Sequence, residues 1–316
     1  MKRYDEDGKE ITSLKVHGKK IRKPYTLKST IAGYLCISAF LILYLVFTIW
    51  PLIDGFLISF TEWNILGPRV FVGLSNYIEM LQSELFWSSL WHTTIFVLLS
   101  VPAIMIGGFL LALLVDHKNL KCNTFFRVTF FSPQVLSVAI VSYIWVVVLE
   151  PYTGLLNNFL GTVGIMGDEI FWLRDRSLVW FSLVMITFWW TVGFNMILYL
   201  AAMQDIPDSY YESAEIDGAS YFQKTRYITI PYLKRTHILL LFLQLVASFR
   251  VFGQVFLVTG GGPAGATRTY IQYIFETAFQ RFLLGPGSAA SIILFLIILL
   301  VSLFQLRILK ASPDEG

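Results

Sequence analysis

"ESAEIDGASYFQKTRYITIP", residues 212–231, decides how the rest of the chain is read. It is a charged, glycine-centred stretch in a 316-residue chain that is 56% hydrophobic and only 14% charged. The mean hydropathy of +0.65 puts the polypeptide among membrane proteins and excludes a soluble globular domain. A polar segment of this length in such a chain needs a purpose outside the lipid.

Six apolar runs surround it, over about 30–53, 91–115, 128–149, 178–203, 237–259 and 288–308. Each is long enough to cross a hydrocarbon layer of about 30 Å as a helix. The expected architecture is an all-α membrane protein with six spans. The short alternating segments of a β-barrel are not seen. The first run follows a basic stretch over 15–28 but is nearly twice the length of a signal-peptide core, so it reads as a retained span. Boundaries follow as a basic N-terminal segment over 1–29, a membrane domain over 30–308 with a polar loop over 204–235, and a tail over 309–316.

Charge sets the orientation. Of the 24 Lys and Arg residues, 18 fall in the two terminal segments and in the loops after the second and fourth spans. The opposite loops hold 5, and Arg250 lies within the fifth run. The positive-inside rule then places both termini and the polar loop in the cytoplasm. Trp50, Trp91, Trp172 and Trp180 near the other ends of the spans fit an interfacial belt. Cys36 and Cys122 imply no disulfide framework. Pro51, Pro102, Gly107, Gly108, Pro133 and Gly193 interrupt the apolar runs; bends there are tolerated where neighbouring helices satisfy the freed backbone groups, and ordinary helix packing explains most of these residues equally well.

Within the polar loop, Pro207 suits the first turn of a short helix that carries Asp208, Glu212, Glu215 and Asp217. Gly218 is its expected left-handed C-cap, and a second short helix runs on to a break at Pro231. A merely solvated loop would not need the apolar surface of Tyr210, Tyr211, Ala214, Tyr221 and Phe222, so a docking site for another protein accounts for it better.

The quoted stretch resembles the EAA loop of ABC importer permeases, with Glu212, Ala214, Asp217, Gly218, Ala219, Gln223, Ile228 and Pro231 on pattern positions. Ser213, Thr225 and Ile230 depart from the pattern, replacing an alanine, an aromatic and a leucine. "VFVGLSNYIEMLQSELFWSSLWHTTIF", residues 70–96, and "VFLVTGGGPAGATRTYIQYIFETAF", residues 255–279, are similar to segments of the carbohydrate-uptake branch, of maltose or glycerol-phosphate type. The resemblance implies a type I permease fold in a bacterial-type plasma membrane. It implies a coupling helix seated in a cytoplasmic ATPase dimer, with Glu212 facing a basic group there. It also implies a second homologous permease as heterodimer partner, suggested by the ending "LFQLRILKASPDEG" (residues 303–316), and an extracytoplasmic solute-binding protein that docks near the "TGGGP" turn, residues 259–263. No nucleic-acid partner is implied.

Gly8-Lys9 and Gly18-Lys19 lie outside any P-loop frame, so ATP and Mg are expected on a separate chain, with no cofactor bound here. No Asp or Glu lies inside a span, and His92, His117 and His237 sit at span ends, where interfacial solvation explains them. This disfavours an ion-coupled secondary carrier. No nucleophile with a base, aspartate pair or metal-ligand set suggests a catalyst.

Candidates for solute contact are Tyr143, Trp145, Trp189, Trp190, Asn195, Gln244, Arg250 and Gln254, since aromatic rings stack on sugar C–H faces and amides pair with hydroxyls. Aromatic packing between helices accounts for the rings equally well. Arg250, the one charge well inside a span, costs about 2.5–3.5 kcal/mol at a helix centre and either snorkels or lines the path. It keeps a glycerol-phosphate-type or uronate-bearing anion open beside a neutral sugar.

Overall fold

The computed structural model describes residues 27–65, 67–116, 122–164 and 169–310. Most of the basic N-terminal segment, the end of the tail, and His117, Lys118 and Lys121 lie outside them. The chain divides into two compact units, Met1–Asp54 and Gly55–Gly316. Among the described residues, four helices are long and apolar enough to cross a membrane: Ile37–Ile58, Glu84–Asp116, Val179–Gln204 and Leu284–Gln305. Two further helix pairs, Asn123–Val135 with Val138–Val148 and Tyr221–Tyr232 with Lys234–Phe249, each bent at a short break, bring the number to six when each pair counts as one span.

The first span joins α1 (Leu27–Tyr44) to α2 (Trp50–Ile58) through a π-helical turn, Leu45–Ile49. Pro51 follows that turn by two residues, and a widened turn is where a helix accommodates the missing N–H and the ring. A two-residue hairpin pairs β1 (Thr61–Glu62) with β2 (Val70–Phe71), the one sheet among the described residues. α3 (Ser75–Leu81) follows, and its Asn76 donates through Nδ2 to the carbonyls of Ser59 and Thr61, both at 2.9 Å.

The longest seam is between α4 (Glu84–Asp116) and α8 (Val179–Gln204). Lipid is as apolar as leucine, so close backbone approach rather than hydrophobic exclusion drives such a seam. Gly108 supplies it, since a Cβ there would lie 2.7 Å from Asn195 Cβ. Gly193 does the same on the other side of α8, where a Cβ would lie 2.0 Å from the Phe130 carbonyl oxygen. Gly107, Gly108, Pro102 and Gly193 thus sit inside uninterrupted helices, and for Gly107, Gly108 and Gly193 helix packing is the role.

The third apolar run, 128–149, is broken at Pro133, one of the residues expected to interrupt a span. α5 (Asn123–Phe131) passes into a 3-10 turn, Ser132–Val135, and α6 (Val138–Val148) leaves at 102° to it. Pro133 disrupts the α-helical ladder, and Ser137 restarts it by accepting the Ile140 N–H on its side chain. α7 (Leu155–Thr162) lies in the following connection.

The fifth run is divided too. α12 (Lys234–Phe249) ends at Arg250, and α13 (Gly253–Thr259) continues after the break. No proline marks this point. α13 is pinned to α8 instead, because Gln254 Nε2 donates to the Leu183 carbonyl at 3.2 Å and Gln254 Oε1 accepts from the Thr187 hydroxyl at 3.1 Å. The last part packs α14 (Tyr270–Phe275) against α15 (Leu284–Lys310), with Tyr270 OH donating to the Ala290 carbonyl. Trp172, expected at the lipid interface, is instead buried, and its Nε1 donates to Asn157 Oδ1 at 2.7 Å. His237 is held by packing as well, 2.8 Å from the Tyr199 hydroxyl, so interfacial solvation is not its main partner.

Candidate functional site: the polar hairpin and the mid-span polar groups

The loop between α8 and α12 folds as a helical hairpin. α9 (Asp208–Ile216) begins just after Pro207, whose fixed φ suits a helix entry. It ends in a Schellman turn: Gly218 has φ +74°, its N–H reaches the Glu215 carbonyl at 3.0 Å, and the Ala219 N–H reaches the Ala214 carbonyl at 2.9 Å. α10 (Tyr221–Lys224) opens with a capping box, Ser220 Oγ accepting the Gln223 N–H and Gln223 Oε1 accepting the Ser220 N–H at 2.7 Å.

The second helix does not break at Pro231 as expected. It widens into a π turn, Thr225–Thr229, and passes through Pro231 in α11 (Ile230–Tyr232). As at Pro51, the proline stands two residues beyond a π turn. The break comes at buried Leu233, and α12 leaves at 67°.

The hairpin presents large apolar groups outward: Ile216 is 87% exposed, Phe222 76% and Tyr227 75%. Glu212, Asp217 and Pro231 are exposed, while Ala214, Ala219 and Ile228 are half-buried. Inward, Tyr211 OH lies 2.9 Å from Thr229 Oγ1, and burial pushes the Tyr211 phenol above its ordinary range. Lys224 Nζ forms an ion pair with Glu215 Oε1 at 2.7 Å across the Gly218 turn. Both tyrosine and lysine partnerships were missed in the sequence. The reversal of charge sign across Gly218 was the available signal for the second.

The solute candidates are dispersed. Tyr143 is 73% exposed, and Arg250 is exposed at the C-cap of α12, where the fifth run breaks. Both ends of the Gln254 amide are occupied by α8. Asn195 is fully buried in the α4–α8 seam, with Nδ2 on the Thr191 carbonyl and Oδ1 lacking a partner. Gln244 is buried on α12, one turn before Ser248, whose hydroxyl meets that of Ser100 on α4 at 3.3 Å. Trp145 and Trp189 pack edge to face, 5.6 Å between centroids, and the Nε1 atoms of Trp145 and Trp190 are buried without a partner. Among the described residues no group of three or more His, Cys, Asp or Glu is placed to hold a metal ion.

Comparison with known proteins agrees with this architecture. The chain is 34% identical over 286 residues to the trehalose/maltose transport system permease protein MalF of Thermococcus litoralis, covering 89% of this chain and 95% of that protein. It is 30% identical over 293 residues to the arabinooligosaccharides transport system permease protein AraP of Bacillus subtilis, covering 90% of each. A chain in the crystal structure of a bacterial ABC transporter that imports the acidic polysaccharide alginate superposes with a TM-score of 0.82 at 25% identity, over 91% of this chain and 98% of that one. Residues 70–311 match the family described as binding-protein-dependent transport system inner membrane component. The polypeptide is thus a membrane subunit of a transporter and not a catalytic one, with a type I permease fold and a binding protein as its partner. A helical hairpin with an outward apolar surface, set between spans of this fold, and a match over three quarters of the sequence lead to one assignment: the chain belongs to the binding-protein-dependent transport system inner membrane component family.

Proposed function

We propose that this subunit carries a sugar or oligosaccharide across the membrane, driven by a separate cytoplasmic ATPase dimer that grips the hairpin over 204–235. The observation that carries the reading is the exposed apolar trio Ile216, Phe222 and Tyr227 on a hairpin that is already fully capped. Large apolar groups held outward by a rigid turn are a docking surface, and their exposure costs free energy until a partner covers them. Glu212, exposed on α9, faces a basic group of that partner. Both termini and the hairpin lie in the cytoplasm, as the distribution of Lys and Arg supports. ATP and Mg bind to the ATPase and no cofactor binds to this chain. A second homologous permease completes the pathway as a heterodimer.

For the solute, the unpaired indole donors of Trp145 and Trp190 and the free Asn195 Oδ1 are groups that sugar hydroxyls would satisfy. The relatives that carry trehalose or maltose and arabinooligosaccharides support a saccharide. A second reading, a uronate-bearing anion, is favoured by the similarity to the alginate importer together with the exposed Arg250 guanidinium.

The test is uptake into proteoliposomes holding this chain with its partner permease, ATPase and binding protein, using labelled maltose, arabinotriose and an alginate trisaccharide. ATP-dependent accumulation of one of the neutral sugars, lost with Glu212→Ala, is expected. Accumulation of the alginate fragment alone, lost with Arg250→Gln, would establish the anionic reading. Uptake driven by a proton or sodium gradient without the ATPase would refute both.

A further inference from the structure

Between the hairpin and the ends of α4 and α8 lies a cavity of about 500 Å³, lined by Leu113, Asp116, Met203, Tyr211, Tyr221 and Lys224 among others. Close-packed side chains transmit displacement because they resist compression, and a gap of this size has no such packing. Whatever joins the hairpin to the spans must therefore go around the cavity. One polar tie does so, and two more stiffen the hairpin itself. Lys224 Nζ, with a side chain only 17% exposed, bonds Glu215 and locks α9 to α10. Tyr211 bonds Thr229 and locks α9 to the π turn. Tyr221 OH donates to the Leu113 carbonyl near the end of α4 at 3.4 Å, 108 residues away in sequence.

We propose that Lys224 and Tyr221 are positioning residues for energy coupling: Lys224 makes the hairpin one stiff piece, and Tyr221 bears it against α4. Displacement of the hairpin then moves α4 as well as α8 and α12, to which the chain leads directly. The ion pair is half in solvent and individually weak, and the tyrosine contact is long, so neither stabilises the fold appreciably. Their value lies in stiffness at a point where packing is absent. The proposal rests on the reading that an ATPase docks on the hairpin.

Nitroxide labels at Leu114 on α4 and Ser209 on α9 test it, in the assembled transporter with Cys36 and Cys122 replaced by Ser. Pulsed electron resonance distances are compared without nucleotide and with ATP and vanadate. One narrow distance, unchanged between the two states, is expected for the parent chain. Lys224→Met and Tyr221→Phe are expected to enlarge a second, detached population by about two- to five-fold. Lys224→Arg, and the exchange Glu215→Lys with Lys224→Glu, should restore the single distance. A parent distance that shifts between states, or variants with an unaltered distribution, would overturn the proposal. Co-purification of the ATPase with the parent chain is measured in the same preparations, and its failure would sink the docking reading rather than the tie to α4.

Discussion

Gly193 shows how much one hydrogen atom decides. It sits mid-helix in α8 with no unusual backbone angle, and its role is the absence of a Cβ where the Phe130 carbonyl passes. Backbone does not yield as a flexible side chain does, so Gly193→Ala must push α5 away from α8. Overpacking of this kind costs about 1–3 kcal/mol, and we expect a lowered unfolding temperature in detergent, measured by tryptophan fluorescence. Gly107→Ala should be milder, because the atom it meets is the ring edge of Phe188. In sequence these glycines are indistinguishable from bend sites. Gln254 carries the same lesson for polar groups: an amide in an apolar run signals a need for a partner, but only the fold reveals that Thr187 and Leu183 take both of its ends.

At the scale of elements, the hairpin was legible because its instructions are local. Pro207 and the Gly218 turn are each set by their immediate neighbours, where sequence spacing is spatial spacing. Gly218 has φ +74° with nothing within 4 Å of where a Cβ would stand, so a side chain there is opposed by conformation alone. Gly218→Val should therefore destabilise the turn by about 1–2 kcal/mol, while Gly218→Asn, which tolerates the left-handed region, should be nearly neutral. Hydrogen exchange at the Ala219 amide, which closes the turn, reads the difference. The breaks at Pro133 and at Arg250 to Phe252 were not legible equally: the first has a proline, and the second depends on where α13 is held by α8.

For the whole molecule, hydropathy marks the candidate spans and the distribution of Lys and Arg predicts which way they face. Topology is read directly by labelling. Single cysteines at Ser213 in the hairpin and Ser177 in the connection before α8, both exposed, are treated in intact cells with a membrane-impermeant maleimide. Ser177→Cys is expected to react and Ser213→Cys to react only after the cells are opened. The reverse pattern would place the hairpin outside and remove the ATPase from the account.

The apolar runs, the polar hairpin between them and its left-handed turn were determined by the sequence alone, since lipid acts on each segment separately and a turn needs only its neighbours. The tertiary structure alone decided that Arg250 ends a helix, that Trp172 is buried on Asn157, and that Tyr221 reaches Leu113. Those outcomes depend on which distant surfaces meet. In a bilayer, that choice falls to close packing and to the pairing of polar groups that have no water to turn to.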